Sequence, residues 1–130
     1  MSAVARFRSV VVDRPEPREP ARFYARVGGG TPEDDDPDWV VLRVPGGPRL
    51  AFQRSPGYTA PEWPRADRNA PHFHLDFDAG ATWDEIDAAE ERVLTLGSRV
   101  LDKEDDEKKD FRVYADPVGH PFCLCRIEHD

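Results

Sequence analysis

Cysteine is nearly missing from this chain: 130 residues carry two, Cys123 and Cys125. They stand two apart in an apparent strand and share one face, which excludes a long-range disulfide staple. They read as small apolar residues in a reducing compartment. Long apolar runs are missing too. No stretch approaches the ~18 residues of a membrane-spanning helix, and the opening MSAVARFRSV lacks the apolar centre of a secretion signal. Basic charge is in deficit: 18 Lys and Arg face 26 Asp and Glu, a formal net charge of −8. That balance opposes attraction to a phosphate backbone or an anionic membrane. The expectation is a cytoplasmic protein with neither a nucleic-acid nor a membrane partner. At this length it is a single domain, 1–130, able to bury one core without disulfide or metal.

The acidic excess is concentrated in PEDDDPD (32–38) and LDKEDDEKKD (101–110). Both read as solvated loops, because neither has the alternating oxygen ligands, central glycine and distal glutamate of a calcium loop. Each run is followed by one copy of an internal repeat. WVVLRVPGGPRLAFQR (39–54) overlays FRVYADPVGHPFCLCR (111–126) without a gap, so that Trp39 meets Phe111, Pro45 meets Pro117, Gly47 meets Gly119 and Arg54 meets Arg126. Each copy has the alternation and Pro/Gly turn of a β-hairpin.

A strand and a helical pattern precede each hairpin. In the second half Thr82 and Glu85 form a capping-box pattern, Trp83, Ile86, Ala89, Val93 and Leu96 recur at helical spacing, and Gly97 supplies the stop. In the first half Ala21, Phe23, Tyr24 and Val27 form the apolar set, and Pro15, Pro17 and Pro20 crowd the start. A further short strand fits residues 31–37 and 99–105. The predicted fold is α+β: two tandem βαβββ modules, 6–54 and 72–127, joined by the segment 55–71 and forming a curved mixed sheet with helices on its outer face.

Within the second module HFHLDF (72–77) puts His72, His74 and Asp76 on one face of a strand and Phe73, Leu75 and Phe77 on the other. The apolar face belongs to a core, whereas the polar face is a candidate site. His-x-His on a strand can chelate a metal, with Asp76 and Cys123 as further donors. His74 could also serve as base to a Cys123 nucleophile. His120 and His129 read as surface residues.

The paired βαβββ pattern, the FY of Phe23 and Tyr24, HLDF at 74–77 and YADPVGHPFCL at 114–124 together resemble the glyoxalase/bleomycin-resistance/dioxygenase, or vicinal oxygen chelate, superfamily. The resemblance runs over roughly residues 6–127 and is narrower still to a glyoxalase-like subgroup common in actinobacteria. His120 stands where the family's Asp-Pro-x-Gly-Asn turn has asparagine. Enzymatic members hold a metal with a histidine at the start of each module's first strand and a glutamate in each module's last. By the resemblance those positions fall on Ser9, Ala51, His74 and Cys123, of which His74 alone is retained, so the standard two-histidine, two-carboxylate metal site is not expected.

The connector QRSPGYTAPEWPRADRNAP (53–71) holds four prolines, three arginines, Tyr58 and Trp63. Flat aromatic faces on a stiff loop suit an aromatic or cationic ligand. The expected pocket is lined by Ser9, Ala51, Gln53, Tyr58, Trp63, His74, Asp76 and Cys123. It takes a small organic molecule, which the net charge weakly favours as cationic or neutral, with no cofactor. The alternative is a lyase, isomerase or dioxygenase-type enzyme with an altered divalent-metal site. The resemblance also implies a homodimer.

Overall fold

The computed structural model describes residues 7–63, 73–103 and 109–127. The chain forms two compact units, Met1–Tyr58 and Thr59–Asp130. The first runs β1 (Val10–Arg14), α1 (Arg18–Gly28), β2 (Pro32–Asp36), β3 (Trp39–Arg43) and β4 (Arg49–Arg54). The second runs β5 (Leu75–Gly80), α2 (Trp83–Thr95), β6 (Arg99–Asp102), β7 (Phe111–Ala115) and β8 (Pro121–Arg126). Each unit has one four-stranded sheet, ordered β1-β4-β3-β2 in the first and β5-β8-β7-β6 in the second. In both, the first strand runs parallel to the last while the remaining neighbours are antiparallel. The α+β pattern is therefore a βαβββ module written twice.

The repeat extends to individual contacts. Arg54 Nε donates to Asp38 Oδ1 at 2.6 Å, and Arg126 Nε donates to Asp110 Oδ1 at 3.0 Å. Each pair is doubled by a backbone bond, from the Arg54 N–H to the Asp38 carbonyl and from the Arg126 N–H to the Asp110 carbonyl. Each helix ends on a glycine with positive φ, 91° at Gly29 and 105° at Gly97, a conformation that side chains resist. A Cβ at either would abut the equivalent turn proline, Pro45 or Pro117.

Helix starts follow local chemistry. The Thr82 hydroxyl accepts the Glu85 N–H at 3.2 Å, and the Glu85 carboxylate accepts the Ala81 N–H at 3.4 Å, so the capping box closes one residue early. In α1 the N-cap is Pro17, and the cap function passes to Glu16, whose carboxylate accepts the N–H groups of Arg18 and Glu19, both at 2.9 Å. Pro20 sits in the first turn, where its missing N–H forfeits no helical bond.

Composition reads residues 32–36 of the acidic run as a loop, whereas the module pattern places a short strand at 31–37; the strand is what forms, the edge strand β2, paired with β3 through a register shift between Glu33 and Asp36. An edge strand has only one neighbour to satisfy, and its carboxylates discourage further strand pairing. Of the second acidic run, Leu101 and Asp102 end β6, and residues 104–108 lie outside the described residues.

Strand alternation gives each sheet two unlike faces. In the first, Val12, Val40, Leu42, Leu50 and Phe52 are buried on the side of α1, where Tyr24 stacks on Phe52 with ring centroids 5.9 Å apart. In the second, Tyr114, Phe122 and Leu124 are buried with Ile86 and Val93 of α2. Beneath α2 lies a polar network that the apolar stripe did not announce. Glu90, in the middle of the stripe, accepts from the Tyr114 hydroxyl at 2.9 Å and from Lys103 at 2.9 Å, and is 3.4 Å from the Arg112 guanidinium. Arg112 also pairs with Asp87 at 2.8 Å and lies over the Trp83 ring.

Arg112 and Glu90 are both buried, so removing one leaves a charge short of its partner. We expect Arg112→Ala to cost about 3 kcal/mol of stability in urea unfolding. Arg22→Ala, which deletes an exposed ion pair with Glu19, should cost less than about 1 kcal/mol. Equal losses would contradict this description of the network.

Candidate functional site

The faces turned away from the helices carry the candidate residues. Val10 pairs with Leu50 and Leu75 pairs with Phe122, and Leu50 and Phe122 hold the same place in the repeated hairpin. The residues just before Val10 and Leu75, Ser9 and His74, are thus equivalent, as are Ala51 and Cys123. These are the four positions to which the family's metal ligands would map.

In the second unit, Asp76 and Cys123 are direct partners across the parallel β5–β8 pair. His74 Nε2 lies 3.0 Å from Asp76 Oδ1, and donor atoms of His74, Asp76 and Cys123 all lie within 4.8 Å of one another. His74 and Asp76 are exposed; the Cys123 thiol is buried. Burial, then the neighbouring Asp76 charge, pushes the thiol from its ordinary 9.0 up to about 12, and Cys125 rises to about 11 for the same two leading reasons. A thiol so placed is protonated at neutral pH, which is the opposite of what a cysteine nucleophile needs. Both cysteines are free. His72 and His129 lie outside the described residues, so the chelating His-x-His pair is represented by His74 alone.

The first unit is furnished differently. Ser9 Oγ accepts a hydrogen bond from Arg49 Nη1 at 2.8 Å, Ala51 is fully buried, and Gln53 is exposed at the end of β4. The Tyr58 ring lies 5.8 Å from the Arg14 guanidinium, and Trp63 is half-buried in the second unit. His120, expected at the surface, is half-buried. Asp116 accepts the N–H groups of Val118 and His120, and the imidazole lies 5.9 Å from the Phe73 ring. Sequence reasoning passed over Arg49 and its surroundings altogether: Phe7, Arg8, Arg43 and Arg49 line a cleft of about 510 Å³. The spacing PRL in the hairpin turn gave no signal of it, since a single arginine at a strand start is ordinary.

The four ligand positions do not fit the metal that the fold suggests. A hard divalent ion in an octahedral, oxygen-rich site needs carboxylates. Here one carboxylate position is an alanine with no donor and the other a protonated thiol; the serine already accepts from a cation. The donors that remain, imidazole, carboxylate and sulfur, suit a borderline ion such as zinc, and only if binding displaces the thiol proton.

With this fold and these faces in hand, comparison places the chain in a class. Paired βαβββ modules are the architecture of the glyoxalase/bleomycin-resistance/dioxygenase superfamily. The family model described as Glyoxalase-like domain matches residues 9–125, and the chain belongs to that family. Among solved structures it is similar to a glyoxalase/bleomycin resistance protein/dioxygenase family enzyme from Burkholderia phytofirmans PsJN (16% identity, TM-score 0.71, covering 92% of this chain and 97% of that one). It is also similar to the genomically encoded fosfomycin resistance protein FosX from Listeria monocytogenes (12%, 0.69, 97% and 96%) and to the oxidase ChaP-H2 (18%, 0.65, 98% and 97%). At these identities the likeness is one of fold. No match was found among curated proteins. Among the described residues no helix is long and apolar enough to cross a membrane.

The raised thiol gives a pH prediction. The folded chain keeps the Cys123 proton over a range in which the unfolded chain has lost it. Stability from this source is therefore intact below 9.0 and is lost as pH rises towards about 12. Cys123→Ala should flatten the decline in unfolding free energy above pH 9.0, measured by urea unfolding along a pH series. An unchanged slope would show that the thiol titrates alike in both states.

Proposed function

We propose that the chain binds a small organic molecule on the sheet faces turned away from its helices and does so without the family's standard metal. The residues proposed to contact it are Ser9, Ala51 and Gln53 of the first module, Tyr58 and Trp63 of the connector, and His74, Asp76 and Cys123 of the second module. One observation carries the reading: of the four positions that would ligate a hard metal, His74 alone keeps a suitable donor, while Ala51 is buried and without one. Tyr58 and Trp63 support it as half-buried aromatic rings, which provide contact area with little conformational freedom to lose. The proposal includes a cytoplasmic homodimer, testable by sedimentation velocity.

A second reading has its own observation. Because His74, Asp76 and Cys123 converge to within 4.8 Å, a lyase, isomerase or dioxygenase-type enzyme with an altered metal site is the alternative. Solved relatives described as an oxidase and as a fosfomycin resistance protein accord with chemistry on this fold, though not with any particular reaction here.

A thermal-shift screen of neutral and cationic aromatic compounds tests the first reading. A ligand at 100 times its Kd should stabilise the fold by about 2.7 kcal/mol, a readily measured rise in Tm. Trp63→Ala should weaken the best compound by about tenfold, as expected when one aromatic contact is lost. Unchanged affinity in Trp63→Ala would remove that residue from the site, and a screen with no shifts would count against the function.

A further inference from the structure

We propose that the cleft at the end of the first sheet, lined by Phe7, Arg8, Arg43 and Arg49, is a binding site for a small anion that carries an apolar or aromatic group. Its volume, about 510 Å³, lies within the range of small-molecule sites. All four lining residues belong to the first unit and none is His74, Asp76 or Cys123; Ser9, which holds Arg49, is shared with the residues of the function proposed above.

Charge is the principal argument. Arg43 and Arg49 are Cα partners across the β3–β4 pair, where like charges facing each other are unfavourable. Arg8 adds a third guanidinium at the same cleft. The carboxylate that answers them is Glu33, 3.4 Å from Arg43, and that pair is exposed on both sides. Arg8 has no hydrogen-bond or ion-pair partner among the described residues. Among the described residues three cations face one ion-paired carboxylate, an arrangement that an anion would relieve.

Positioning is the second argument. Arg49 is half-buried, and its Nη1 is tied to Ser9 Oγ at 2.8 Å, which fixes one edge of the guanidinium. A guanidinium offers five donors in a planar fork, so this bond leaves others for a carboxylate, phosphate or phosphonate oxygen. Ser9 is the equivalent of His74. In this module the place of a metal-binding histidine is therefore occupied by a hydroxyl that holds a cationic side chain, and positive charge is delivered by the protein itself. Phe7 is the apolar component: the residue is 73% exposed, the highest of the exposed large hydrophobic residues among those described, and it lines the same cleft.

The net charge of −8 argues against anions at long range. At physiological salt, charges are screened over about 8 Å, so the three guanidiniums lining the cleft outweigh carboxylates elsewhere on the surface. Net charge slows the approach of an anion without deciding what the cleft holds.

The test is calorimetric titration of the full chain with phenyl phosphate, inorganic phosphate and benzylamine at low and high salt. Phenyl phosphate is expected to bind, more weakly as salt rises; inorganic phosphate should bind less well, and benzylamine not at this site. Arg8→Gln lies outside the strands and should leave the Tm unchanged while weakening phenyl phosphate by about tenfold, the loss expected for a charge-assisted hydrogen bond. Ser9→Ala should weaken it by a smaller factor, by freeing Arg49. The proposal is overturned if phenyl phosphate does not bind at low salt, if Arg8→Gln weakens benzylamine as much as it weakens phenyl phosphate, or if Arg8→Gln and Arg49→Gln both leave the phenyl phosphate affinity unchanged.

Discussion

The parallel docking of each module's first strand onto its last, β1 on β4 and β5 on β8, is the constraint on which the remaining structure depends. A parallel pair cannot be closed by a tight turn, so the chain must cross over, and α1 or α2 makes that crossing on one face of the sheet. The helix covers the face bearing Phe52 and Leu50, or Phe122 and Leu124; the other face mixes buried residues, Val41, Ala51, Val113 and Cys123, with the polar side chains of the candidate site. The same docking sets the register that brings Asp76 beside Cys123 and puts Ser9 next to Arg49. A slip of one residue would reverse both faces and send His74 and Asp76 into the core.

That shared scaffold carries two different electrostatic solutions. On the second sheet a histidine, a carboxylate and a buried thiol converge, and the carboxylate helps hold the thiol protonated. On the first, the equivalent positions hold a hydroxyl and an alanine, and positive charge comes from arginines at the strand ends. The two modules share one backbone pattern while their faces differ. In the proposed reading, the lack of hard-metal donors rests on side-chain chemistry at Ser9, Ala51, His74 and Cys123, not on any difference in fold.

Much of this was legible in the sequence, because the informative features were periodic. The gapless hairpin repeat, the Thr82 and Gly97 signals and the alternation of HLDF each rest on a local rule, and together they defined the tandem modules. The β2 strand was legible only from the module pattern, because its residues, Pro32 to Asp36, have a composition that strands avoid; pairing to β3 makes it one. Glu90 was hidden for the opposite reason. It occupies a core-facing helical position whose burial is tolerable only because Arg112 and Tyr114 reach it from β7 and Lys103 from just beyond β6. The arginine cleft was illegible in the same way: Phe7 and Arg8 meet Arg43 and Arg49 only through the order of strands in the sheet.

The central claim is that this family member works without the family's metal, and metal content tests it most directly. Untagged protein purified without chelators would be analysed for divalent metals, then titrated with magnesium, manganese and zinc, alongside His74→Ala. The account predicts less than stoichiometric metal in the purified protein and no magnesium or manganese binding that depends on His74. One equivalent of bound divalent metal, lost in His74→Ala, would contradict it.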